Sequence, residues 1–367
     1  MSETLKRVDL PGYTLGRQDA YKALAVQALP YGRRLLLIGG RKALQAGQGR
    51  LEEALAGSDL TLVGGLHYGA DCTFRAAQAL AQAVKQLKAD VICGMGGGRA
   101  LDTAKAAGEL AGLPVFTLPT IAATCAAVTK LSVLYDETGA FERFLFLSRA
   151  PKHCFIDLNV LAHAPHMYLR AGIGDSLAKH VETPFAARGA LTDHADALGV
   201  SIADGLFTQL SVHSAQAMAD ARSGHAGPSL EMVCLCNIIS TGYVSLLVKE
   251  RFNGALAHSL YYALEHLPQM KRQLHGDVVA WGALAQLVMD GQNEKAQALR
   301  QLLLTLQVPV SLRRMGIDPS LPEFRESLRR VLMQPDMQFL PYEVTEPMIW
   351  KALREVEAQD EEDLKGV

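Results

Sequence analysis

Short apolar runs alternate with longer stretches of helical spacing through the first half of the chain. Residues 35–38 (Leu-Leu-Leu-Ile) are wholly apolar and stop at Gly39 and Gly40, the mark of a strand buried on both faces. Residues 60–63, before Gly64 and Gly65, repeat the design, with a helical pattern over 43–55 between them. An alanine-rich helix over 73–87 leads to a third strand, 91–93, ending at Gly94. Residues 99–110 read as a helix, and 115–118, closed by Pro119, as a fourth strand. A hairpin follows, with arms 131–135 and 141–147 about a turn at 136–139, and 154–157 is the candidate last strand. Strand and helix alternating at this spacing predict a parallel sheet covered on both faces, with a ligand crevice beyond the strands' C-terminal ends. After Leu161 the texture changes. From His166 onward, alanine- and leucine-rich stretches carry a 3.6-residue spacing that predicts helix throughout. The expected organisation is an α/β domain over 1–162 and an all-α domain over 163–367. The acidic close, 355–365, reads as a solvated helix end or a tail.

Composition narrows the functional classes. The 367 residues include 36 basic and 38 acidic side chains, a net charge of −2. Such a balance argues against electrostatic binding to nucleic acid or to an anionic membrane. With 49% hydrophobic residues the chain is too apolar for intrinsic disorder. No uninterrupted apolar run reaches the roughly 18 residues of a membrane span, and residues 1–7 lack the apolar core of a signal peptide. The six cysteines form no C-x-x-C. Cys93 and Cys154 sit in apolar strand-like runs, so the cytoplasm is the expected compartment. Cys234 and Cys236 lie in a helix-like stretch where residues two apart face away from each other, which disfavours a ligand pair.

The chemistry begins at residues 91–105. A strand ends in Gly94-Met95-Gly96-Gly97-Gly98 and opens a helix running through Asp102 and Lys105. Glycines let the backbone approach a pyrophosphate, and a helix N-terminus offers unpaired N–H groups and partial positive charge. A tight turn with close helix packing would use the same residues, and the spacing is not G-x-G-x-x-G.

Gly96-Gly97-Gly98-x-x-x-Asp102-x-Ala104-Lys105 resembles the iron-containing alcohol dehydrogenase superfamily. Further likenesses are Pro119-Thr120-Ile121-Ala122-Ala123-Thr124, the stretch 131–135, Ala171-Gly172-Ile173-Gly174-Asp175, His258, and His275-Gly276. The glycerol dehydrogenase-like branch matches best, and within it residues 119–127 and 172–179 look most like the hydroxycarboxylate dehydrogenase A group. The resemblance implies an N-terminal dinucleotide-binding α/β domain, a helical C-terminal domain of dehydroquinate synthase-like architecture, and a divalent metal, Zn²⁺ or Fe²⁺, in the cleft between them. It implies Asp175, His258 and His275 as metal ligands, His258 also meeting substrate. Gly96, Gly97, Gly98, Asp102 and Tyr135 would bind the dinucleotide, and Thr120, Thr129 and Leu131 would line its nicotinamide side. It also implies a homo-oligomer acting on a small molecule.

Departures from the family pattern refine the expectation. Where many relatives carry a histidine ligand four residues after the aspartate, this chain has Lys179. An ammonium cannot coordinate; it either pairs with Asp175 one helical turn away or recognises a substrate carboxylate. The second histidine that often follows the first by three residues is Tyr261, whose hydroxyl could serve a proton relay. Cys125 stands where glycerol dehydrogenases place a polyol-binding aspartate, removing a negative charge near the metal. These changes favour a 2-oxo acid/2-hydroxy acid pair over glycerol, with Cys125 and Lys179 in the substrate pocket. After the first buried strand, Gly40 and Arg41 occupy the place where NAD-preferring relatives often put an acid. A cation there is disfavoured by the helix dipole, by roughly 0.3–1 kcal/mol; a 2′-phosphate would account for it, as would a solvated basic pair of Arg41 and Lys42, and NADP(H) is expected ahead of NAD(H). A polyol dehydrogenase, a dehydroquinate synthase-like lyase and a non-catalytic nucleotide-binding descendant are the alternatives.

Overall fold

The computed structural model describes residues 8–17 and 19–365; residues 1–7, the expected absence of a leader included, lie outside them. The chain groups into two compact units, Met1–Leu169 with Ala219–Leu246, and Arg170–Met218 with Leu247–Val367. The boundary read from the sequence near 162 has no counterpart to the return of residues 219–246 to the first unit.

The first unit is built on a six-stranded parallel sheet. Its strands are β1 (Gly12–Gly16), β2 (Arg34–Gly39), β3 (Thr61–His67), β4 (Val91–Gly96), β5 (Val115–Pro119) and β8 (His153–Asp157), in the spatial order β1-β8-β5-β4-β2-β3. β6 (Leu131–Tyr135) and β7 (Phe141–Phe146) form a separate antiparallel hairpin. Alternate residues of each strand serve opposite faces. Leu35 and Leu37 join Leu51, Leu55, Cys93, Met95 and Phe116 on one side. Leu36 and Ile38 join Leu80, Val84, Ile92, Ala104 and Ala107 on the other. The helices Arg41–Leu55 and Gly98–Ala111 therefore cover opposite faces. The chain leaves β2 to build one edge, then returns to place β4 on β2's other side. The C-terminal ends of β2 and β4 thus flank a topological switch point, where open α/β sheets bind ligands.

Several elements differ from the sequence expectation, β4 among them, which continues past Gly94 to Gly96. β1, with two glycines in five residues, carries no strand signature in the sequence; it exists through its pairing with β8, from Gly12 opposite His153 to Gly16 opposite Asp157. β3 runs through Gly64 and Gly65 instead of stopping at them, with a register shift against Leu35 and Leu36. The helix Pro228–Leu247 has the length and hydropathy of a membrane span, yet it is interrupted by Glu231 and Asn237 and 61% of it is buried inside the protein.

The second unit is helical. Its main elements include Leu256–Leu264, His275–Met289, Asn293–Thr305, Pro322–Val331 and Glu346–Lys365, together with most of His166–Ala187. The helix His275–Met289 is buried along almost its whole length, which explains why its sequence shows little amphipathic contrast.

Candidate metal centre and nucleotide loop

Three helices of the second unit deliver one carboxylate and two imidazoles. Asp175 lies within His166–Ala187, His258 within Leu256–Leu264, and His275 opens His275–Met289. They converge because glycines let these helices meet backbone to backbone. A Cβ on Gly276 would stand 1.7 Å from the Ala171 carbonyl oxygen, one on Gly174 2.2 Å from the Gly276 oxygen, and one on Gly282 2.8 Å from Ala257 Cα. Gly174 precedes Asp175, Gly276 follows His275, and Ala257 precedes His258, so each close approach sets one of the three side chains. Arg170 clamps the first helix to the third, with Nη2 2.5 Å from Asp277 Oδ2 and Nε 3.2 Å from Oδ1.

Asp175 Oδ1 is 3.7 Å from His258 Nε2 and 3.6 Å from His275 Nε2, and one donor atom from each residue lies within 4.8 Å of the others. Two donors bound at about 2.1 Å on a tetrahedral ion would stand about 3.4 Å apart. Both the spacing and the donor set, one oxygen and two imidazole nitrogens, fit a single Zn²⁺ or Fe²⁺ with coordination positions left open. Asp175 and His258 are buried, whereas the His275 side chain is 28% exposed, so the cluster opens past His275. The Tyr261 ring stands edge-on to His275, centroids 4.4 Å apart.

Glu182, which the sequence reading did not single out, completes the centre. It is fully buried. Its Oε1 accepts the backbone N–H of Ala255 at 2.8 Å and of His258 at 2.9 Å, while Oε2 accepts from Nδ1 of the His258 ring. A carboxylate on Nδ1 holds the proton there and leaves Nε2 as the free donor, the arrangement that orients metal-binding histidines. The signal in the sequence is spacing: Asp175, Lys179 and Glu182 fall on one helix face at i, i+4 and i+7. Burial opposes the charge on His258, but Glu182 and Asp175 outweigh it and push the ion-free imidazole up to about 10. Burial likewise opposes ionisation of Asp175, and hydrogen bonds from both imidazoles hold it well below the usual carboxylate range.

Lys179 makes no ion pair with Asp175 among the described residues. Its buried ammonium donates instead to the backbone oxygen of Asn253 and approaches Asn253 Oδ1 at 3.4 Å. Of the two readings open in the sequence, the local salt bridge is therefore removed.

The glycine loop, the candidate nucleotide site, belongs to the first unit. The helix Gly98–Ala111 starts after Gly97 with no side-chain cap, which leaves its first N–H groups for a ligand. Gly96 adopts φ +151°, and a Cβ there would meet Ala100 Cβ at 2.7 Å; a Cβ on Gly97 would meet Ile121 Cδ1 at 2.5 Å. Gly98 is different, since a Cβ would find only Thr124 Oγ1 at 3.4 Å and Ala126 at 3.8 Å. Tight packing thus accounts for Gly96 and Gly97, and the open face lies at Gly98. A Cβ on Gly96 would also stand 3.9 Å from the nitrogen of Gly40, the other predicted cofactor position. Arg41, in the first turn of its helix, is exposed and makes no ion pair among the described residues.

Asp102 and Lys105 face inward. Asp102 Oδ1 pairs with Lys105 Nζ at 2.8 Å and Oδ2 accepts the Val133 N–H at 3.1 Å. Lys105 also donates to the Thr129 oxygen at 3.2 Å and the Leu131 oxygen at 2.5 Å. This buried pair ties the helix to the segment holding Thr129 and Leu131 and leaves Asp102 buried at the hairpin instead of at the open face of the loop. Thr120 N–H bonds the Gly96 oxygen at 3.0 Å, placing its chain segment beside the glycine loop. Tyr135 is covered by the Arg99 guanidinium, 4.8 Å from its ring centroid. Cys125 is half-buried, with its Cβ near Gly242. All six cysteines are free thiols.

Residues 11–158 match a family model described as iron-containing alcohol dehydrogenase. The chain is 30% identical to glycerol dehydrogenase of Escherichia coli O6:H1 over 320 residues, 86% of each chain. It is 31% identical to hydroxycarboxylate dehydrogenase A of Escherichia coli K12 over 330 residues, 89% of this chain and 90% of that protein. The crystal structure of glycerol dehydrogenase from Schizosaccharomyces pombe shares the fold, with a TM-score of 0.86 at 24% identity over 99% of this chain and 94% of that one.

Proposed function

The chain belongs to the iron-containing alcohol dehydrogenase family, and from that premise we propose that it interconverts a 2-oxo acid and the corresponding 2-hydroxy acid with NADP(H). It is an oxidoreductase of CH–OH groups, dependent on a nicotinamide dinucleotide and a divalent metal. The observation that carries the substrate reading is Lys179: a buried ammonium on the helix face of Asp175, held by neutral Asn253 oxygens and paired with no carboxylate among the described residues. Glu182 and Asp336 lie close enough to feel its charge, but no carboxylate bonds it directly, and a substrate carboxylate would do so through a charge-assisted bond.

Asp175, His258 and His275 would hold the ion. An ion bound there would supply polarisation of the substrate carbonyl, and a reduced nicotinamide would supply the hydride for its carbon. Glu182 keeps the proton on His258 Nδ1, so that Nε2 is presented as a lone pair. The N–H groups that open Gly98–Ala111 receive the pyrophosphate, and Arg41 meets a 2′-phosphate. Lys179 fixes the substrate carboxylate, which sets the face of the carbonyl presented for reduction.

Oxidation of glycerol is the second reading, favoured by the identity to glycerol dehydrogenase. The substitution of Cys125 for a polyol-binding acid argues against it. The intact three-ligand cluster and the dehydrogenase relatives give the lyase and non-catalytic alternatives no support. Steady-state kinetics with 2-oxo acids, neutral aldehydes and glycerol on the wild type and Lys179→Met tests the proposal. Loss of a charge-assisted bond should raise KM for the oxo acid about 10- to 100-fold and leave a neutral aldehyde unchanged. Glycerol turnover exceeding that of every hydroxy acid would overturn it.

A further inference from the structure

The helix that returns to the first unit contains a π-turn, residues Cys236–Ser240, between α-helical segments Pro228–Leu235 and Thr241–Leu247. The Thr241 N–H bonds the Cys236 oxygen five residues back, and Thr241 Oγ1 bonds the same oxygen at 2.9 Å. Residues five apart on an α-helix point about 140° away from each other. An extra residue in the turn gives them the stacking that residues four apart otherwise have.

The two residues so aligned are Asn237 and Gly242, and both address one segment, residues 119–130. Asn237 is buried, and its Nδ2 donates to the Ala122 oxygen at 3.0 Å and the Leu169 oxygen at 3.3 Å. Gly242 packs so closely that a Cβ would stand 2.0 Å from Val128 Cγ2 and 3.4 Å from Cys125 Cβ. The same segment is pinned at its start by Thr120 N–H on the Gly96 oxygen and at its end by Lys105 on Thr129 and by Thr117 Oγ1 on the Ala127 oxygen, 2.7 Å. The middle, which holds Ile121 against Gly97 and Thr124 beside Gly98, is where Asn237 grips.

We infer that the π-turn is a registering device and Asn237 a positioning residue: together they fix the 119–130 segment as the wall facing the glycine loop, and so set the nicotinamide and substrate geometry. The catalytic half of this inference rests on the dehydrogenase reading above; the structural half does not. A regular helix would carry Asn237 and Gly242 to different faces, and one of the two contacts with the segment would be lost.

The test uses the full-length, metal-loaded protein with Asn237→Asp, whose carboxylate opposes the Ala122 and Leu169 carbonyls, Asn237→Ala as a gentler variant, and Gly242→Ala with and without Val128→Ala. Hydrogen exchange without ligand reads the segment directly, kinetics read function, and unfolding midpoints control for general destabilisation. Exchange over 119–130 should accelerate about tenfold or more for a lost anchoring bond, with 94–98 unchanged. Displacement of the wall should lower kcat about 100-fold in folded protein, with dinucleotide KM altered far less. Val128→Ala should restore kcat to Gly242→Ala. A lowered midpoint with unchanged segment exchange and wild-type kcat would reduce Asn237 to a core residue and overturn the inference. Absence of nicotinamide turnover in the wild type would sink the dehydrogenase reading, while the exchange data would still decide whether Asn237 sets the segment.

Discussion

Replacing Glu182 with glutamine changes one atom and tests how the metal centre is oriented. In the native centre both Glu182 oxygens accept: Oε1 from two backbone N–H groups and Oε2 from His258 Nδ1. A glutamine can keep its oxygen on the two backbone donors, but its NH₂ then faces Nδ1. Two donors cannot bond, so the imidazole must move its proton to Nε2, the atom that faces Asp175 at 3.7 Å. A protonated Nε2 cannot coordinate. Loss of such an orienting partner lowers metal affinity about 10- to 100-fold, or roughly 1.4–2.7 kcal/mol. Folding stability should also fall by about 1.5–3 kcal/mol, the range for a hydrogen bond to a charged group. Titration of chelator-stripped Glu182→Gln with Zn²⁺ against a competing indicator, beside the wild type, measures the first quantity, and urea denaturation the second. Zn²⁺ affinity within twofold of wild type would refute the reasoning about the tautomer, whatever happened to stability.

The raised value at His258 makes ion uptake a proton exchange: at pH 7, loading should release close to one proton, and affinity should climb with pH toward about 10. Calorimetry in buffers of different ionisation enthalpy checks this, and proton-neutral binding contradicts it. For the ion-free protein the sign is opposite. The imidazolium stabilises fully below the ordinary histidine value of about 6.5, and that contribution is lost as pH rises through about 10, so the stripped protein's denaturation midpoint should decline over that window. Gly276→Ala places a Cβ 1.7 Å from the Ala171 oxygen and must push apart the helices that carry Asp175 and His275. It should destabilise by about 3 kcal/mol and release the metal on dialysis; full metal retention would show that the helix contact is dispensable. Arg41→Ala should cut kcat/KM for NADPH about tenfold or more through a lost charge-assisted bond and spare NADH, and an equal effect on both would remove the 2′-phosphate from the account.

The buried strands were legible because their residues have no polar alternation to confuse: 35–38, 91–93 and 115–118 could only be interior. β1 was not, since Gly-Tyr-Thr-Leu-Gly has no apolar signature and becomes a strand by pairing with residues some 140 positions later, a distance no local pattern carries. Nor could periodicity tell which unit the 228–247 helix packs in, or that it holds an extra residue in one turn. Asp175, His258 and His275 were found through family resemblance, for their spacing alone marks nothing. What resemblance left out was the carboxylate behind the imidazole: Glu182 reads as one more charged residue in a helix until tertiary structure buries it. Lys179 was legible as a departure, but only the structure removed the Asp175 pair, which a one-turn spacing permits and Asn253 pre-empts.

The central claim is that Asp175, His258 and His275 share one ion on which carbonyl reduction depends. The direct measurement is a titration of chelator-stripped protein with Zn²⁺ or Fe²⁺ while following oxidation of NADPH by a 2-oxo acid. Activity should rise from zero to a plateau at one ion per chain in the wild type, and neither bound ion nor activity should return in His258→Ala. Undiminished turnover by the stripped wild type would contradict the account.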